Sequence, residues 1–387
     1  MKYVERRSLL KDKKEAQSCA RKTSIGGQAL MEGIMMRGPR NSAMAVRNTK
    51  GEIVIEEFPT NGGKKRPAFC RWPIIRGLFG YVDSMTLGYK CLMRSAELSG
   101  LEDLVEESPK KKKKREEAER RRAEEQASAP ETPVEEVPAE PVETPAAPET
   151  PAEAPAEEEK KLPAWVMTVV MVASVVIAVV FALGLFMYLP AKLFELLASA
   201  VPVLRPENAA LASLYKSVFE GVLKIVLLVG YMSLITLMKD IRRTFMYHGA
   251  EHKTIFCYEA GLELTVENVR LQKRFHPRCG TSFLILMLLV SIFISFFIDP
   301  LALAITGKVL PTLLRAVVKL LLLPLIVGVG YELIKLAGRY DNLFTRIISA
   351  PGVWLQHVTV FEPTDDMIEC AIAAMKLAIP NDESDNW

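Results

Sequence analysis

The chain has only four histidines, and three of them share one stretch with a cysteine. Tyr247-His248-Gly249-Ala250-Glu251-His252-Lys253-Thr254 sets His248 and His252 four residues apart. On a helix that spacing projects two imidazoles from one face, so both can reach a single metal ion. Glu251 stands beside them and is the candidate catalytic residue, a general base toward a metal-activated water. The stretch closes with His276-Pro277-Arg278-Cys279-Gly280, which adds an imidazole and a thiol at a spacing common among metal ligands. The candidate metal ligands are therefore His248, His252, His276 and Cys279, and the candidate cofactor is Zn2+ or another divalent metal.

Three readings of these residues remain open at this stage. Four ligands would close the coordination shell and make a structural site, whereas catalysis needs a free position. In the catalytic case His276, Cys279 or a carboxylate from Glu32, Glu259, Glu332 or Asp341 completes the set. Without a metal, the histidines would simply hydrogen-bond at an interface. His357 reads as a structural histidine. A second unusual run, residues 24–39, interleaves four glycines with three methionines. It fits neither phosphate-cradling nor dinucleotide patterns. It reads as a tight turn, or as a donor of Gln28 or Glu32 to the polar site.

The elements that must hold these groups are set by hydrophobicity. Half of the residues are hydrophobic and a quarter are charged, and the two populations are segregated along the chain. Such segregation marks membrane proteins. Stretches 164–189, 221–238, 282–298 and 312–336 are each apolar enough to predict a transmembrane helix. The loop 239–281 between the second and third carries Lys239, Arg242, Arg243, Lys253, Arg270, Lys273, Arg274 and Arg278. That bias places the loop, and both termini, in the cytoplasm of a multi-pass protein of a bacterial cytoplasmic membrane. All six cysteines then face a reducing compartment, which argues against disulfides. Lys224, Arg315 and Lys319 are expected to snorkel from the outer helix ends. The formal charge of +3 gives no case for nucleic acid as a partner.

The resulting fold class is a polytopic α-helical membrane protein, four transmembrane helices with a small α+β cytoplasmic N-terminal domain. Residues 1–22 form a basic tail and 23–100 a hairpin-plus-helix domain, the hairpin turning at Asn48-Thr49-Lys50-Gly51. Its helix carries Ile74, Leu78, Val82, Met85 and Tyr89 as an apolar face, set to pack on the hairpin or lie on the membrane. Residues 101–162 form a charged and Pro/Glu/Ala-rich tether without core-forming residues. Residues 163–340 are the membrane domain, and 341–387 a cytoplasmic helical segment capped near Thr364 or Asp365.

Ile25-Gly26-Gly27-Gln28-Ala29-Leu30-Met31-Glu32-Gly33, His248 to Thr254, His276 to Ser282 and Glu362-Pro363 together resemble the YqhQ-like family of bacterial membrane proteins. The resemblance spans nearly everything outside the tether and the extreme termini, and it implies a metal-dependent enzyme with no substrate attached. Val358-Thr359-Val360-Phe361 departs from the Thr-Thr-Arg-like run expected before Glu-Pro. The leading expectation is a membrane-surface metal-dependent hydrolase acting on a lipid-linked or membrane-protein substrate. The alternative is a non-enzymatic factor in membrane-protein assembly or quality control, holding a structural zinc. Expected partners are the lipid bilayer and membrane-protein clients. A transporter ranks third for want of a buried charge pair.

Overall fold

The computed structural model describes residues 22–60, 67–100 and 164–385. The tether and nearly all of the basic tail lie outside them. The chain forms two units: residues 103–182, described from 164 onward, and the remainder.

In the first unit the described part is helix α2 (Ala164–Leu183), built almost wholly from Val, Ala, Met and Leu. The helix continues beyond Leu183 through a π turn, Gly184–Tyr188, into α3 (Leu189–Ala200).

The larger unit begins with a four-stranded antiparallel meander in the order β1 (Gly26–Leu30), β2 (Gly33–Arg37), β3 (Asn41–Arg47) and β4 (Ile53–Pro59). The β3–β4 hairpin is the one expected from the sequence. Residues 24–39 are not a single tight turn: they form a second hairpin, Gly26 pairing Arg37 and Leu30 pairing Gly33. Its turn holds Glu32 at φ 50. Leu30, Met35, Met44 and Val46 pack with Cys91 of helix α1 (Ile75–Leu98), and Ile34, Met36 and Ala45 pack with the helices described next. The apolar face of α1 is a correction. Val82, Met85 and Tyr89 are exposed, while Gly88, Cys91 and Ser95 supply the packed side. Small residues bring the α1 backbone close to the sheet, with Gly88 directly against the Gln28 side chain.

Helix α4 (Ala209–Ile235) is capped by Asn208 and starts well before the expected position 221. A turn at residues 236–238 separates it from α5 (Lys239–Glu259), the helix that carries the histidine pair. Short α6 (Val266–Arg270) follows, then α7 (Gly280–Thr306). The expected fourth span is broken into α8 (Thr312–Leu321) and α9 (Leu323–Arg339), bent by 50°. Pro324 explains the break, because it has no N–H for the continuing ladder and crowds the preceding turn. Helices α10 (Leu343–Thr359) and α11 (Asp365–Ala378) complete the chain.

By length and composition, Val172–Ala200, α4 and α7 could each cross a membrane, and the bent pair would make a fourth crossing. Helix α5 is different. It is nearly surrounded by protein from Tyr247 to Ile255, packing against β1, β2, α6 and α11. Tyr247, Ala250, Ile255, Met367, Ile368 and Met375 form the core that fixes its rotation. Rotation matters because it decides which way His248 and His252 point.

Candidate functional site

His248 and His252 leave the same face of α5 with ring centroids 4.4 Å apart. Each is gripped from behind by a backbone carbonyl. His248 Nδ1 lies 3.0 Å from the Thr359 oxygen, and His252 Nδ1 lies 2.5 Å from the Arg274 oxygen. A carbonyl only accepts, so both protons sit on Nδ1 and both Nε2 atoms are left with free lone pairs. His248 Nε2 is 3.0 Å from Cys279 Sγ. His252 Nε2 is buried and has no hydrogen-bond partner. An orphaned buried nitrogen is costly unless something binds it.

Cys279 reaches the site from the N-cap of α7, where the Thr281 N–H and hydroxyl lie 3.4 and 3.2 Å from its sulfur. The α7 N-terminus and the two imidazoles favour a thiolate there. Burial acts to raise the thiol, but His248 and His252 bring it well below the ordinary thiol range. Burial likewise opposes charge on His248, yet the neighbouring Cys279 raises it to about 9. One ligand atom from each of His248, His252 and Cys279 can be chosen so that all three lie within 4.8 Å of one another. This buried group could hold a metal ion.

Glu251 lies between the histidines in sequence and accepts the Gly27 N–H at 3.0 Å. Gly27 has to be glycine, because a Cβ would fall 2.9 Å from Glu251 carbons and 2.7 Å from the Met35 oxygen. Burial raises the Glu251 carboxyl above its usual range, against the pull of both histidines. A cavity of about 120 Å³ opens beside the group, lined by Gly27, Glu251, His252, His276, Arg278 and Cys279 among others.

His276 is near but turned elsewhere. Its ring is 5.5 Å from that of His252. Nδ1 accepts the Arg278 N–H at 3.3 Å, and Nε2 is 3.8 Å from a Glu259 oxygen. Burial, aided by the Arg278 guanidinium, pushes it down to about 4, so it is neutral. The structure therefore gathers His248, His252 and Cys279 and leaves His276 in the layer behind.

The four candidate carboxylates lie elsewhere too. Glu32 is held by Arg243 and Tyr247, Glu259 by Arg278 and the Thr23 N–H, Glu332 by Arg76, and Asp341 by Arg346. Gln28 faces α1, and His357 is exposed against Phe275.

Several positioning groups carry no motif of their own. Gln356, fully buried, accepts the His276 N–H at 2.8 Å and donates to the His276 carbonyl and to Ser282 Oγ. Lys253, also buried, ties α5 to the Arg270 carbonyl and to Glu362. The Glu-Pro pair after α10 thus fastens the histidine helix. Gly249 allows Phe361 to pass, since a Cβ there would meet the Phe361 oxygen at 2.0 Å.

Fold and site together define a predominantly helical protein with several apolar, span-length helices, a small N-terminal sheet and a buried two-histidine, one-cysteine centre. The chain belongs to the family described as protein of unknown function DUF1385, whose model matches residues 72–381. It is also 29% identical over 352 residues to the uncharacterized protein YqhQ of Bacillus subtilis strain 168, an alignment covering 90% of each chain. The resemblance expected from the motifs is therefore borne out. No solved structure matches the chain.

Proposed function

We propose that this is a multi-pass membrane protein with a metal-dependent hydrolytic site at the membrane surface, acting on a lipid-linked or membrane-protein substrate. One observation carries the reading: His248 and His252 both spend their ring protons on backbone carbonyls and keep Nε2 for the space beside Cys279. Carbonyl-oriented imidazoles of this kind are the usual supports of metal ligands. Two imidazoles and a thiolate suit Zn2+, and three protein donors leave a position for chemistry. A bound divalent ion would supply Lewis acidity to polarise a substrate or activate a water.

The chain's own groups provide the rest. Glu251, with a raised pKa and one oxygen fixed by the Gly27 N–H, is placed to take a proton near neutrality. Arg278, held by Glu259 and donating to the Thr23 carbonyl at 2.9 Å, sits in the cavity wall as a fixed positive charge toward an anionic group. Membrane placement is supported by the span-length helices and by the basic loop, which assigns the site and both termini to the cytoplasmic face. Exposed Phe69, Trp72, Val82 and Met85 on and before α1 add an apolar patch suited to the bilayer surface.

Glu251→Gln in the zinc-loaded full-length protein tests the assignment. Wild type should release product from a panel of phospholipid and membrane-peptide substrates, and the variant should keep its metal while losing that activity. Undiminished hydrolysis in Glu251→Gln, or a wild type inactive on the panel whose fold collapses on metal removal, would favour a structural zinc and the assembly role.

A further inference from the structure

A second polar cluster lies inside the span-length helices, about 30 Å along α7 from Cys279 at helical rise. Asp299 of α7 pairs with Arg315 of α8 at 3.1 Å and accepts from Ser213 of α4 at 2.6 Å. Arg315 also donates to Ser217 at 2.7 Å and lies 3.7 Å from Glu220. Glu220 is further approached by Lys224 at 3.6 Å and Lys319 at 3.8 Å.

The expectation that these cations snorkel does not hold for Arg315, whose side chain is only 5% exposed and is turned into protein. A buried charge pair, the feature missing from the sequence reading, is present. Its charges do not cancel: Lys224, Arg315 and Lys319 face Glu220 and Asp299, leaving one positive charge in excess. Neither lysine comes within hydrogen-bond distance of Glu220, and Arg315 Nε and Asp299 Oδ1 are buried without partners. Uncompensated charge among apolar helices is expensive and marks a place where something binds.

A cavity of about 450 Å³ adjoins the cluster. The three cations and Glu220 lie on its wall, and most of the remainder is apolar, including Leu183, Met187 and Leu313. A hydrated inorganic anion would gain nothing from those walls, whereas an amphiphile matches both parts. We propose that this cavity binds an anionic amphiphile, its phosphate headgroup against Lys224, Arg315 and Lys319 and its hydrocarbon chain along Leu183, Met187 and Leu313. This rests on the bilayer placement but not on the metal site.

Native mass spectrometry of the detergent-solubilised full chain, titrated with dioleoyl phosphatidic acid, dioleoyl phosphatidylcholine or inorganic phosphate, tests it. Phosphatidic acid should bind about tenfold more tightly than the zwitterionic lipid. Lys224→Gln and Lys319→Gln should each weaken it about fivefold. Ala316→Phe, which keeps every charge and fills the cavity, should block it. Equal binding of the two lipids, or binding unmoved by all three substitutions, would overturn the proposal. Displacement of the lipid by inorganic phosphate would also overturn it, in favour of a free-anion site. Should the lysine variants fail to fold, wild-type selectivity and Ala316→Phe still decide. Alkaline extraction of native membranes checks bilayer placement separately, so that a lipid failure in a membrane-retained protein counts against the cavity alone.

Discussion

The clusters at the two ends of α7 hold their polar groups in opposite ways. Around Cys279, backbone carbonyls from Thr359 and Arg274 fix the imidazoles, and the His248–Cys279 contact closes to 3.0 Å. Around Asp299 only side chains hold side chains, and three of the four contacts between opposite charges are 3.6 to 3.8 Å long. Backbone support makes a site that discriminates by distance, as a metal ion requires. Side-chain support makes one that responds to net charge. The same contrast predicts where stability resides: the charged cluster depends on its own members, whereas the histidine centre has a nitrogen with nothing to lose.

Arg315→Ala should have the largest effect. It leaves Asp299 and Glu220 buried without their central cation, which costs about 3–5 kcal/mol. Thermal unfolding in detergent should show it, and the comparison is sharpened by His252→Gln, which should leave the metal-free protein melting close to wild type. A His252 variant as damaged as Arg315→Ala would break the distinction.

Gly249→Ala comes next. Its added Cβ meets the Phe361 oxygen, and the resulting overpacking costs about 1–3 kcal/mol. Because Phe361 follows Thr359 closely, the carbonyl behind His248 should shift too, so metal affinity should fall along with the melting temperature. Unchanged metal affinity in a destabilised variant would separate the helix packing from the site.

Smallest is Arg243→Ala, which removes the half-exposed pair with Glu32. The expected change in unfolding free energy is about 1 kcal/mol or less. It should leave metal content alone, since Glu32 lies outside the site. A loss of metal would return Glu32 to the ligand set.

The histidine pair was legible because helical period alone puts residues 248 and 252 on one face. Cys279 was legible as a ligand type, but not its preference over His276. That choice depends on Gln356, eighty residues on, which clamps the His276 backbone at both N–H and C=O. The supporting carbonyls leave no mark in sequence, since every residue has one.

The β3–β4 hairpin showed through its turn, whereas β1–β2 was masked by glycine and methionine, which carry no alternation. The break in the fourth span had a readable cause in Pro324. The charge cluster did not, because its members stand on three helices and only packing joins them. The α1 face misled the reading: its largest apolar residues are exposed, and glycine, cysteine and serine make the contacts.

The central claim is that His248, His252 and Cys279 hold a metal while His276 does not. Metal content of the full-length protein, purified without chelator and measured by inductively coupled plasma mass spectrometry, tests it most directly. Wild type should carry about one divalent ion per chain. His248→Ala, His252→Ala and Cys279→Ser should each lose it, and His276→Ala should retain it. A metal-free wild type, or an ion that survives all three ligand substitutions, would contradict the account.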